Sequence, residues 1–143
     1  MKIAYIDAFG GIAGDMLLAG FLGATAPDGA GFLARLLRSL GLPDAAFAVE
    51  DVRRGGLAGR LITVTSGDSR VDWHSLDDIL GIIDGAALPD PVKKASGAAF
   101  TRLAEAEARA HGKPLDHLHL HETGDIDAVV EITGTLLAVH EAG

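Results

Sequence analysis

The stretch Phe47-Ala48-Val49-Glu50-Asp51-Val52-Arg53-Arg54-Gly55-Gly56-Leu57-Ala58-Gly59-Arg60-Leu61-Ile62-Thr63-Val64-Thr65 decides the fold. β-Branched content rises from Phe47 to Val52 and again from Leu57 to Thr65, and Gly55-Gly56 separates the two runs. Paired glycines supply the backbone that a tight hairpin turn demands, so the stretch predicts a β-hairpin. Most of the other periodic segments in the chain have helical spacing. The hairpin therefore makes this a mixed α/β (α+β) protein rather than an all-helical one.

Working outward, Ser75 with Asp78 resembles a capping box, and Leu76, Ile79, Leu80 and Ile83 form one apolar stripe ending at Gly85. Asp90-Pro91 opens the longest helix, in which Val92, Ala95, Ala99, Leu103, Ala106 and Ala110 are expected to face inward until Gly112 and Pro114 stop it. Upstream, Phe32, Leu33, Leu36, Leu37 and Leu40 mark a helix between Asp28 and Gly41. Ile3-Ala4-Tyr5-Ile6 reads as a short buried strand leading through a glycine-rich loop to a helix capped by Asp15. That helix is apolar nearly all round and should be central. A last helix starts at Asp125 and runs to about His140, burying Ile126, Val129, Val130, Ile132, Leu136 and Leu137. About five helices thus pack a small sheet made of the hairpin and a histidine-rich strand, in a single domain spanning 1–143.

Composition narrows the function. The 143 residues suffice for one core, and a formal charge of −8 opposes a nucleic-acid backbone. No apolar run reaches the roughly 18 residues that would span a bilayer, and the N-terminus is not a signal peptide, so a cytoplasmic protein is expected. With no cysteine, any metal must rest on nitrogen and oxygen ligands.

Such ligands cluster in His117-Leu118-His119-Leu120-His121-Glu122. If the run is extended, side chains alternate, so the three imidazoles share one face and the two leucines the other. Imidazole suits nickel, zinc, copper and iron, and carboxylates can complete the set. A solvated edge strand is the plainer alternative. Asp127 and Glu131, four residues apart on the last helix, repel by about 0.2–0.5 kcal/mol unless something cationic relieves them; helix-dipole stabilisation competes as the reason for Asp127. The loop from Gly10 and Gly11 to Gly14 places amides at a helix start, where a phosphate could be cradled. Asp7 and Asp15 bracket that loop, serving either a bridging divalent cation or simply a turn and a cap. Arg53 and Arg54 could hold a phosphate or carboxylate, although such residues are more often a solvated hairpin tip. A strand, then Gly-Asp, then an apolar helix occurs near both ends, at Gly14-Asp15 and Gly124-Asp125.

Phe100 to Gly112, then His119-Leu120-His121-Glu122-Thr123-Gly124, then Asp127 and Glu131-Ile132-Thr133-Gly134, together with Asp7 to Met16, closely resemble the nickel-insertion proteins of nickel-pincer cofactor biosynthesis, often called LarC. The similarity covers essentially the whole chain, yet only the N-terminal part of that family's usual protein. It implies insertion of Ni2+, as substrate metal, into pyridinium-3,5-bisthiocarboxylic acid mononucleotide in a CTP-dependent reaction of the lyase class, with Mg2+ or Mn2+ accompanying CTP. The product serves lactate racemase. It also implies a partner, the CTP-binding C-terminal domain or a separate chain, with self-association left open.

By position the resemblance assigns His119, His121, Glu122 and Asp127 to metal, with Glu131 standing where the family more often has Asp and His117 added from the alternation alone. Asp7, Gly11, Gly14 and Asp15 match the opening motif, and Gly10 replaces a common serine. Ser66 to Asp72 is short where many members carry a long histidine-rich insertion, which argues against bulk nickel storage. Two rival functions remain. One is a non-catalytic nickel-binding or assembly module that needs its C-terminal partner. The other is a histidine-triad-like nucleotide hydrolase or transferase, whose motif wants hydrophobic residues where Glu122 and Thr123 stand.

Overall fold

The structure is a computed structural model that describes residues 2–65, 75–115, 118, 120 and 125–143. Its elements are α1 (Gly14–Thr25), α2 (Gly29–Ser39), β1 (Ala46–Arg54), β2 (Leu57–Thr65), α3 (Leu76–Gly85), α4 (Asp90–His111) and α5 (Ile126–Ala142). The α+β class and the five helices follow the sequence expectation. β1 and β2 pair antiparallel from Ala46↔Thr65 to Arg54↔Leu57, and Gly55 and Gly56 both take positive φ, at 57° and 83°. An L side chain resists that conformation, which is why two glycines hold the turn.

α5 is the hub, touching α1, α2, α4 and β2. Its Val129, Val130, Thr133, Gly134, Leu137 and Ala138 are buried. α2 presents Phe32, Leu33, Leu36 and Leu37 to the same core, and Asp28 caps it by accepting from the Gly31 N–H at 2.9 Å. Each fully buried side chain of this size contributes roughly 1.5–3 kcal/mol. Ser75 and Asp78 close a reciprocal capping box on α3.

Both α1 and α2 approach α5 closely. A Cβ added at Gly134 would lie 2.8 Å from Leu36 Cδ2 and 3.1 Å from Leu18 Cδ1, and one added at Gly14 would lie 3.0 Å from Glu131 Cβ. At Gly134 the tips of Leu36 from α2 and Leu18 from α1 fill the space a methyl group would take, and at Gly14 the backbone of α1 meets the side-chain stem of Glu131.

Several expectations need correction. Ile3 to Ile6 forms no strand: Ile3 is 80% and Tyr5 89% exposed, and the sheet among the described residues holds only β1 and β2. A strand requires a neighbour to satisfy its backbone groups, and apolar composition alone does not provide one. α1 is not central on all sides; it buries Leu18, Ala19 and Leu22 and leaves Met16 60% exposed. Its N-cap is Ala13, so Asp15 lies inside the first turn rather than before it. On α4 the buried row is Val92, Ser96, Phe100, Ala104 and Ala108, and Ala106 and Ala110 face outward. An alanine-rich helix offers several near-equivalent faces, and the large Phe100 selects the one that packs. On α5, Ile132 and Leu136 are only partly buried.

The expected histidine-rich strand lies outside the described residues, as does the segment 66–74. Leu118 and Leu120, within that run, are described and both are buried, at 7% and 4% exposure.

Candidate metal and substrate site

Gly14-Asp15 opens α1 at a corner of the molecule where its first turn meets α5. Asp15 comes from α1, and Asp127 and Glu131 come from consecutive turns of α5. Asp127 is exposed and Glu131 half-buried. Removal from water pushes the Glu131 carboxyl up to about 7 from 4.5, and the negative charges of Asp127 and Asp15 push in the same direction. The Asp15 backbone N–H, hydrogen-bonded toward that carboxylate, opposes them and lowers it. Glu131 is thus poised between its acid and its ionised form near neutral pH.

Gly14 makes this arrangement possible. Glu131 folds over the place a side chain at residue 14 would occupy, its Cδ 3.2 Å from an ideal Cβ there. Several amides at the start of α1 are occupied as well. Asp15 N–H faces Glu131, Met16 N–H donates to Asp15 Oδ1 at 2.8 Å, and Gly11 N–H donates to Ala8 O at 2.9 Å. Asp7 is exposed and takes a turn role, its Oδ1 accepting from Phe9 N–H at 3.3 Å. Gly10 has open space around its Cα.

Of the residues expected to form a metal site, Asp127 and Glu131 therefore stand together, and Asp15, assigned from sequence to the loop, joins them. His117, His119, His121 and Glu122 lie outside the described residues. Among the described residues no three His, Asp or Glu side chains are close enough to hold a metal ion by themselves. The signal that could have placed Asp15 here was the repeated Gly-Asp before an apolar helix.

A model of nickel insertion proteins matches residues 4–143. The chain belongs to the nickel insertion protein family. Two pyridinium-3,5-bisthiocarboxylic acid mononucleotide nickel insertion proteins of Desulfitobacterium hafniense, from strains DSM 10664 / DCB-2 and Y51, are each 41% identical over 145 residues, covering 100% of this chain and 35% of their own. A protein of Geobacter sp. (strain M21) with a provisional nickel-insertion name is 40% identical over 146 residues, 100% of this chain and 37% of its own. The chain spans about a third of the length of the curated relatives it matches. No solved structure matches it. Within this family member, the motif residues Gly14, Asp15, Asp127 and Glu131 converge on one corner. No helix among the described residues is long and apolar enough to cross a membrane.

Proposed function

We propose that this chain, as a single cytoplasmic domain over 1–143, is the metal- and substrate-binding part of an insertase that places nickel into pyridinium-3,5-bisthiocarboxylic acid mononucleotide. In this reading CTP, with Mg2+ or Mn2+, serves the portion of the family's polypeptide that lies beyond this chain's match. The observation that supports the reading is the approach of Asp15 and Asp127 to the half-buried Glu131, whose carboxyl is raised to about 7 by burial and by those two charges. The described carboxylates do not hold a metal ion by themselves, so a divalent cation at this corner would need neutral imidazoles to complete a nitrogen and oxygen set. His119, His121 and Glu122 are assigned with Asp127 and Glu131 to the nickel ion, His117 being an auxiliary neighbour. Asp7, Gly10, Gly11 and Gly14 shape the approach to that corner, with Asp15 at its edge.

Nickel here is cargo. It must bind firmly enough to be selected yet be surrendered to carbon and sulfur of the acceptor, and exchangeable carboxylates suit that better than a closed cage. The double variant His119→Ala with His121→Ala is expected to lose tight nickel binding in calorimetry at pH 7.5 while keeping its helical circular dichroism. Unchanged affinity in that variant refutes the histidine assignment.

The share of the relatives' length that the chain covers supports a second reading, a nickel-binding or assembly module that is silent without its partner. Nickel binding without turnover until the remaining portion of a relative is added would favour it.

A further inference from the structure

A cleft runs between α1 and the hairpin, and its basic wall is not used by the metal corner. One pocket of about 320 Å³ is lined by Asp15 and Met16 from α1 and by Val52, Arg54, Leu57 and Arg60 from the hairpin. A neighbouring pocket of about 820 Å³ shares Met16, Val52 and Arg60, and adds Arg53 and the α1 residues Gly20 and Gly23. Both volumes fall in the usual range of small-molecule sites, about 300–1,000 Å³.

Three arginines border this cleft with different duties. Arg60 is committed to the fold: its Nε donates to Asp51 Oδ1 at 3.0 Å and its Nη1 to Ala26 O at 3.4 Å, with its side chain only 17% exposed. Arg53 and Arg54 are exposed and, among the described residues, make no hydrogen bond or ion pair. Register separates them, because successive residues of β1 point to opposite faces. Of these two, only Arg54 lines the pocket that also contains Asp15.

In a chain of net charge −8, two adjacent uncommitted guanidinium groups beside a cleft are a local reversal of the field. At the α1 start the Asp15 and Met16 amides are already engaged by carboxylates, and the Gly11 amide by the loop itself. An anion approaching this corner therefore needs donors from elsewhere, and a guanidinium fork matches phosphate oxygens two at a time.

We propose that Arg54, across the pocket from Asp15, is the phosphate anchor of a mononucleotide whose pyridinium end is thereby directed to the acidic corner. This rests on the nickel-insertase reading. The pocket has two poles, the Arg54 guanidinium on the hairpin and the Asp15 carboxylate on α1, and a ligand with a phosphate at one end and a metal-seeking group at the other would span it toward the acids of α5. Arg53 faces the larger pocket and supports the field without touching the phosphate.

The test uses this chain with nickel, and titrates nicotinate mononucleotide and, separately, inorganic phosphate by calorimetry. Arg54→Gln is compared with Arg38→Gln, which removes the same charge from an exposed position on α2. Arg54→Gln is expected to weaken nucleotide binding about tenfold or more, Arg54→Lys to recover part of it, and Arg38→Gln to leave it nearly unchanged. Equal losses in Arg54→Gln and Arg38→Gln would overturn the anchor in favour of diffuse charge. Nickel binding without any nucleotide binding in the unaltered chain also overturns it, while leaving the metal reading intact. Conversely, nucleotide binding that depends on Arg54 in a chain that takes up no nickel supports the anchor and removes the nickel reading.

Discussion

Replacing Glu131 by Gln is expected to make the metal-free protein more stable at pH 8 and to change little at pH 5. The carboxyl is raised from 4.5 to about 7 in the folded chain, so between those values the native state holds a proton that the unfolded state has released. Stability from that proton is fully present below about 4.5 and is lost as pH rises through 7. At face value the displacement is worth about 3 kcal/mol, using 1.36 kcal/mol per pH unit. Glu131 is only half-buried, and solvent screening reduces this to about 1–2 kcal/mol. Glutamine imitates the protonated acid and keeps an oxygen for the Asp15 N–H, so the variant should escape the loss. Urea unfolding of both proteins with chelator present, at intervals from about pH 5 to 8.5, reads the difference directly. A difference that stays flat across that range, or an unaltered protein that is the more stable one at pH 8, refutes the account of burial and mutual repulsion. Saturating nickel should reverse the order at pH 8, since the metal stabilises whichever chain binds it more tightly.

Three further outcomes are expected. Gly134→Ala should destabilise by about 1–3 kcal/mol in urea or thermal unfolding, because its methyl group would meet Leu36 and Leu18 inside normal contact distance. Ser75→Ala should cost about 1 kcal/mol, with no effect on nickel affinity, because it removes one half of the α3 capping box far from the acids in sequence. Nickel affinity measured by competition with a chelator of known constant should fall as pH drops from about 8 to 6, since Glu131 and the ligating imidazoles must all give up protons; an affinity independent of pH would exclude both groups as ligands.

The hairpin, the capping box of α3 and the face of α2 were legible because each is written locally, in turn glycines, cap residues and a stripe of large apolar side chains. Ile3 to Ile6 misled for the opposite reason. Strand formation depends on a neighbour that the segment itself does not encode, and here those residues are exposed. The buried row of α4 was shifted because alanine marks a face weakly, whereas Phe100 and the 0% exposed Ser96 belong to a row that the pattern of alanines obscured. For the candidate site, Asp127 and Glu131 could be paired from their spacing alone. Asp15 is more than a hundred residues away, and only the crossing of α1 over α5 brings it in.

That crossing also ties the placing of one acid to the bareness of one backbone position. Glu131 reaches across residue 14 with its full two-carbon arm, and it can do so only while residue 14 carries hydrogen alone. An aspartate at 131 would withdraw the carboxylate by one methylene but keep the Cβ that lies 3.0 Å from an ideal Cβ at residue 14. The bare backbone at position 14 therefore serves either acid on α5, and the distance at which a carboxylate meets its cargo can be reset at position 131 alone while α1 keeps its glycine.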